Sequence, residues 1–101
     1  MFKNKRKQLK RLKEYYNNII NPKSEYPKGY IESKKAQLMV LEWLIAYYEG
    51  RAASTPKELL EEFINRSDYL NNNATNDEHH INYVYISMLY NWIYYNRITG
   101  F

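Results

Sequence analysis

The sequence has no cysteine, and its 101 residues include only three glycines and three prolines. Without cysteine the chain can form no disulfide, no thiolate metal site and no cysteine nucleophile. Three scattered glycines exclude the G-x-G-x-x-G and G-x-x-x-x-G-K phosphate-binding loops, and no serine lies in a G-x-S-x-G context. Because these catalytic signatures are missing, we expect a protein that is not an enzyme and that uses no cofactor.

Long apolar segments are also missing. No uninterrupted apolar run reaches the roughly 18 residues that a membrane-spanning helix needs. The basic start of the chain is not followed by the apolar stretch that completes a signal peptide. We therefore expect a cytoplasmic protein that does not bind membranes.

Candidate metal ligands and paired carboxylates occur only in unfavourable patterns. His79 and His80 are adjacent and diverge by about 100° on a helix, whereas two ligands on one face prefer i, i+4 spacing. The pairs Glu61–Glu62 and Asp77–Glu78 fall on a predicted exposed face and in a predicted first helical turn. We therefore interpret all of them as solvated side chains and predict no metal site and no catalytic residue.

Positive charge is concentrated at the N-terminus. Residues 1–13, MFKNKRKQLKRLK, hold seven basic residues and no acidic one, while the remaining 88 hold eight basic and eleven acidic residues. The net charge of +4 thus combines a strongly basic segment with a slightly acidic body. A hydrophobic content of 45% argues that this body folds.

Apolar spacing predicts the first two helices. A helix over about 4–20 places one apolar stripe on Leu9, Leu12, Tyr16 and Ile19. The stretch 21–30, NPKSEYPKGY, is predicted to be a loop with a β-turn at 26–29. A second helix over about 31–49 is apolar almost all round, which indicates a central buried helix that ends at Gly50.

Two capping boxes, TPKE at 55–58 and TNDE at 75–78, predict the starts of two further helices. The third helix should face the core with Leu59, Leu60, Phe63 and Ile64. The fourth should do so with Ile81, Val84, Tyr85, Met88, Leu89, Trp92 and Ile93, and leave the helix at Gly100. We predict an all-α fold, a small compact bundle of about four helices, in one domain over 1–101. It comprises a basic N-terminal helix at the edge (1–20), a loop (21–30) and a helical core (31–101).

Adjacent tyrosines occur three times, at 15–16, 47–48 and 94–95, each in the later part of a predicted helix. Neighbouring side chains on a helix diverge by about 100°, so we expect one ring to face the core and the other its rim. Twelve tyrosines, twelve asparagines and ten lysines also fit AT-rich codon usage, as in a low-GC bacterium, its phages or its plasmids.

The basic segment is the candidate functional site. Contact with nucleic acid, or with a nucleoprotein machine, would use Lys3, Lys5, Arg6, Lys7, Lys10, Arg11, Lys13 and Tyr15. A solvated, solubilising arm accounts for the same charges equally well. An amphipathic membrane-surface helix is less favoured, because the apolar face near the charges is thin.

Two other functions are compatible with the sequence. One is a protein-binding inhibitor or adaptor of a phage or other mobile element, acting on an intracellular partner through a Tyr/Trp-rich surface. A minor alternative is a helix-turn-helix-like DNA-binding regulator built from the third and fourth helices. In that arrangement the recognition helix would open with Asp77 and Glu78, which phosphates repel. The oligomeric state stays open.

Overall fold

The computed structural model describes residues 4–73 and 75–98, which form four α-helices. They are α1 (Lys5–Ile20), α2 (Ile31–Tyr48), α3 (Pro56–Asn73) and α4 (Asn76–Tyr95), with one 3-10 turn, Lys28–Tyr30, in front of α2. The described residues contain no strand, so the predicted all-α bundle is confirmed. No described helix combines the length and apolarity needed to cross a membrane.

The helices pack as two pairs, α1 with α2 and α3 with α4, and the pairs meet mainly where α2 lies against α4. Every helix contributes to one apolar cluster, whose members are Leu12, Ile19, Val40, Leu41, Leu44, Leu60, Phe63, Met88, Leu89, Trp92 and Ile98. Because Leu12 and Ile19 are buried in this cluster, α1 lies packed at the edge of the bundle and does not reach outward.

Helix starts follow the predicted capping chemistry. Thr55 Oγ1 accepts the Glu58 N–H at 3.2 Å, and the Glu58 carboxylate accepts the Thr55 N–H at 3.0 Å. The bond from the Thr55 backbone, with a further one from its side chain, lowers the pKa of Glu58 below its usual value. Thr75 Oγ1 likewise accepts the Glu78 N–H at 3.3 Å. These contacts fix the starts of α3 and α4.

Helix ends agree with the prediction for α2 and differ from it for α4. Gly50 takes φ +79°, and the N–H groups of Gly50 and Arg51 donate to the carbonyls of Tyr47 and Ala46, which is a Schellman motif. In contrast, α4 stops at Asn96, which lies in the left-handed region at φ 54° and ψ 40°. Asparagine enters that region more readily than most residues, so it ends the helix before the predicted exit at Gly100, which lies outside the described residues.

Three smaller expectations are wrong. The β-turn was expected at 26–29, but the hydrogen-bonded turn spans 27–30, where the Tyr30 N–H donates to the Pro27 carbonyl at 2.9 Å. This later turn leads directly into α2. Ile64 is exposed, since α3 faces the core along the Leu60, Phe63 and Leu70 line and Ile64 falls to one side of it.

The third difference concerns the tyrosine pairs. Tyr94 and Tyr95 are both exposed, because the last turn of α4 packs against the core through Trp92 and Ile93. In the pair at 47–48 the division between core and rim does hold: Tyr48 packs against the core and Tyr47 is exposed.

Candidate nucleic-acid interface

Helix α1 exposes four cations that have no ionic partner among the described residues. Lys5, Arg6, Lys7 and Lys10 are exposed, and none of them pairs with a carboxylate or donates a side-chain hydrogen bond to any described residue. Like charges held this close repel one another, which costs the folded state some stability. An external anion would remove that cost.

The first turn of α1 also opposes the helix dipole. A helix N-terminus carries partial positive charge, which favours carboxylates and disfavours cations. In α3 and α4 the first turns follow this rule with acidic side chains. In α1, the N-cap Asn4 is followed directly by Lys5, Arg6 and Lys7, and the first turn has no acid. Local rules broken in this way are most often broken at functional sites, and helix N-termini commonly bind phosphate.

Two other cations of the predicted site are engaged within the protein. The Lys13 ammonium lies 3.6 Å from the Glu49 carboxylate. Arg11 donates through Nη1 to Asn96 Oδ1 and through Nη2 to the Asn96 carbonyl, both at 2.6 Å. Its guanidinium carbon lies 5.1 Å from the centre of the Trp92 ring. Arg11 therefore ties α1 to the end of α4 and orients the exposed basic face.

The remaining members of the predicted site are Lys3 and Tyr15. Lys3 lies outside the described residues. Tyr15 is half-buried and packs against the apolar cluster. Binding by these two residues, and phosphate contact by Arg11 and Lys13, stays a prediction.

A cleft of about 660 Å³ opens beside the basic face, where α1 and α3 begin and where α2 and α4 end. Its apolar lining includes Tyr47, Tyr48, Trp92 and Ile93, and its cations are Lys5 and Lys57. No carboxylate is among the described residues that line it. The cleft therefore combines aromatic surface with positive charge.

The aromatic wall of the cleft is partly fixed and partly open. Trp92 is buried, and its Nε1–H donates to Tyr48 Oη at 3.1 Å. The Tyr47 and Tyr48 rings pack edge to face, with 5.1 Å between their centroids. Tyr47 is 37% exposed. Tyr47 thus offers ring surface to a ligand, while Tyr48 and Trp92 hold the wall in place.

Two grooves continue from the cleft along α1. One, of about 620 Å³, is lined by the cations Lys5, Arg6, Lys10 and Lys13 and by Glu14, and it shares Lys5 and Tyr48 with the cleft. The other, of about 530 Å³, is lined by Lys7 and Arg11 among others. A polyanion lying over Lys10, Arg6 and Lys5 would therefore reach the aromatic wall.

Sequence reasoning missed the part of this site that lies outside the basic segment. Lys57 joins it from the start of α3, and Tyr48 and Trp92 join it although they are 44 positions apart. One signal was present, since Lys57 is a cation in the first turn of a helix whose capping box is plain in the sequence.

The other half of the chain has the opposite charge. Residues 55–98 carry three basic and six acidic side chains. Among the described residues no group of three or more His, Asp or Glu side chains could hold a metal ion, and His80 Nε2 instead lies 2.6 Å from Ser33 Oγ.

No known protein family, curated protein or solved structure matches this chain.

Proposed function

We propose that this protein is a non-enzymatic binding module that engages nucleic acid through the exposed basic face of α1. The observation that carries the proposal is the inverted first turn, where Lys5, Arg6 and Lys7 oppose the helix dipole and have no carboxylate partner among the described residues. Bound phosphates would neutralise these charges, and each contact would release a condensed counterion.

Two of the unpaired cations suit this role by position. Arg6 and Lys10 are one helical turn apart on the side of α1 opposite Leu12, so both point away from the core. Lys7 flanks them, and Arg11 holds the helix to the bundle from its other side. The cations are thus presented on an element that is already in place, which reduces the entropy lost on binding.

A salt titration tests the proposal. If the four unpaired cations each contact one phosphate, log K should fall with log salt with a slope of about −3.6 on duplex DNA. The double variant Arg6→Gln, Lys10→Gln should reduce that slope by about 2 and weaken binding to all base sequences alike. Fluorescence anisotropy between about 50 and 200 mM salt measures both quantities.

The matched control is Lys23→Gln, Lys28→Gln, which removes the same charge from the loop between α1 and α2. It should leave the slope unchanged. Equal effects of the two double variants would mean that only net charge matters, and an absence of binding at about 50 mM salt would refute the proposal.

A second candidate function, a protein-binding inhibitor or adaptor of a mobile element, is favoured by the outer face of α4. Tyr83, Tyr90 and Tyr94 are 67%, 45% and 56% exposed. The rings of the last two lie 4.7 Å apart between centroids. No charged residue occurs from 81 to 96, and exposed tyrosines are enriched at protein interfaces.

The double variant Tyr90→Ser, Tyr94→Ser tests this second function. A specific partner from the host extract should be lost by this variant and kept by Arg6→Gln, Lys10→Gln. The reverse pattern would assign the partner to the basic helix.

A further inference from the structure

Two lysines determine which ligand charge the aromatic cleft favours. Helices α1 and α3 begin at the cleft and α2 and α4 end there, so positive and negative helix ends meet at this point. Lys5 and Lys57 line the cleft without a carboxylate partner among the described residues. The cleft therefore favours a ligand that carries negative charge.

Lys57 comes from outside the basic segment. It is exposed and follows Pro56 in the first turn of α3, where the dipole disfavours a cation. The neighbouring Glu58 carboxylate accepts the Thr55 N–H, and the described residues show no ion pair between it and Lys57. Two helices thus each contribute to one cleft a lysine that has no carboxylate partner among the described residues.

The apolar part of the cleft suits a flat ring. Tyr47 leaves ring surface open, and Tyr48 and Trp92 close the wall behind it. A volume of about 660 Å³ lies within the range of small-molecule sites and has room for a nucleotide. Aromatic side chains beside a basic groove are the usual means of binding unstacked bases.

We infer that the cleft takes one unstacked base of a single-stranded nucleic acid, with the base against Tyr47 and its flanking phosphates between Lys5 and Lys57. This inference rests on the proposed function and specifies it further. In a duplex the bases are stacked and paired, so a duplex could contact α1 through its phosphates without filling the cleft.

Three ligands of equal length separate base from phosphate contacts: an oligothymidylate of about 12 nucleotides, an abasic strand and a duplex. The abasic strand keeps the phosphates and removes every base. One stacked base should make the oligothymidylate bind about 5- to 150-fold more tightly than the abasic strand. Equal affinities with a steep salt dependence would overturn the inference and leave the proposed function standing, whereas no binding of any ligand would refute both.

Variants locate the stacked base. Tyr47→Ala should abolish the preference for bases over abasic strand, and Tyr47→Phe should restore it because the ring is kept. Tyr94→Ala, which removes an exposed tyrosine on α4 instead, should leave the preference intact. Loss of the preference in Tyr94→Ala alone would place the base on α4 and overturn the inference.

Two measurements keep the test independent of folding defects. Lys57→Gln should weaken binding of the oligothymidylate more than Lys23→Gln does, although both remove one exposed charge. In NMR spectra the Trp92 indole N–H, which donates to Tyr48 at the cleft, should shift with the oligothymidylate and remain unshifted with the duplex. The Trp43 indole, which stacks on Phe63 away from the cleft, is the internal reference. An unshifted Trp92 signal at saturating oligothymidylate would overturn the inference.

Discussion

Replacing Lys7 with glutamate should make the protein more stable and a weaker binder at once. Lys7 is the third residue of α1, and its N–H donates to the N-cap Asn4 Oδ1 at 3.2 Å. Glu58 holds the same position in α3, where its carboxylate closes a capping box. Lys7→Glu would remove a cation from the positive end of the helix and place an anion there.

The stability gain can be bounded from the helix dipole. Removing an unfavourable charge and adding a favourable one are each worth about 0.3–1 kcal/mol near a helix terminus. Because Lys7 is exposed and screened by solvent, we expect the lower part of that sum, about 0.6–1 kcal/mol. For a domain of this size, 1 kcal/mol corresponds to a Tm shift of about 4–8 °C.

Thermal melts and salt titrations together check this prediction. The Tm of Lys7→Glu should exceed that of the wild type by about 2–8 °C at low salt, and the gain should shrink at high salt as the charges are screened. If Lys7 contacts phosphate, the salt slope of nucleic-acid binding should fall by about 1. Lys23→Glu makes the same charge change in the loop and should alter neither. A lower Tm in Lys7→Glu, or a higher Tm with unchanged binding, would refute the idea that Lys7 destabilises the first turn of α1 and contributes to nucleic-acid binding.

Three further predictions concern the fold. Thr55→Ala should cost about 0.5–2 kcal/mol in thermal melts, because the Glu58 N–H loses its acceptor. Since the pKa of Glu58 is lowered in the folded state, its carboxylate contributes stability above about pH 4.5, and that contribution is lost as the pH falls through the folded pKa. Glu58→Gln should therefore flatten the acid limb of a stability–pH profile; an unchanged limb would show that the capping box does not form in solution. Trp92→Ala should cost about 3–5 kcal/mol by chemical denaturation, because Trp92 is buried, whereas a loss below about 1 kcal/mol would contradict that burial.

The features that the sequence predicts best are those that arise from nearby residues. The capping threonines Thr55 and Thr75 bond to groups three positions away, and Gly50 ends α2 through its own φ angle. The end of α4 was missed because Asn96 also depends on distant residues. Its side chain and carbonyl accept hydrogen bonds from Arg11, which lies 85 positions earlier. A local pattern contains no information about such a partner.

Burial was predicted less well where a helix is apolar on several sides. Periodicity shows which residues share a face, but in α4 tyrosines and aliphatic residues occupy almost every direction. The pattern therefore could not show that Tyr90 and Tyr94 face outward while Asn82 is buried. Asn82 lies inside because its Nδ2 donates to the Phe63 carbonyl at 3.0 Å, a contact between α4 and α3.

For the candidate site, the sequence predicted the charge of α1 but not which of its cations are bonded within the protein. It could not separate Arg6 and Lys10, which pair with no carboxylate in the part of the chain that the structure describes, from Arg11, which is bonded inside the protein. That separation depends on which side of α1 meets the bundle. The cleft was not predictable at all, because it exists only where four helix ends meet.

The placement of the charges bears on the choice between a binding site and a solubilising arm. Solubility needs net charge on the surface, and side chains of either sign at almost any exposed position provide it. It gives no reason to put three cations in the one turn of α1 where the dipole disfavours them. Nor does it explain why that helix is anchored by a fully buried Leu12 and by Arg11, since a solubilising arm needs no fixed position. A helix that is already held against the bundle would suit a phosphate site, because the binding energy is then not spent on ordering the helix.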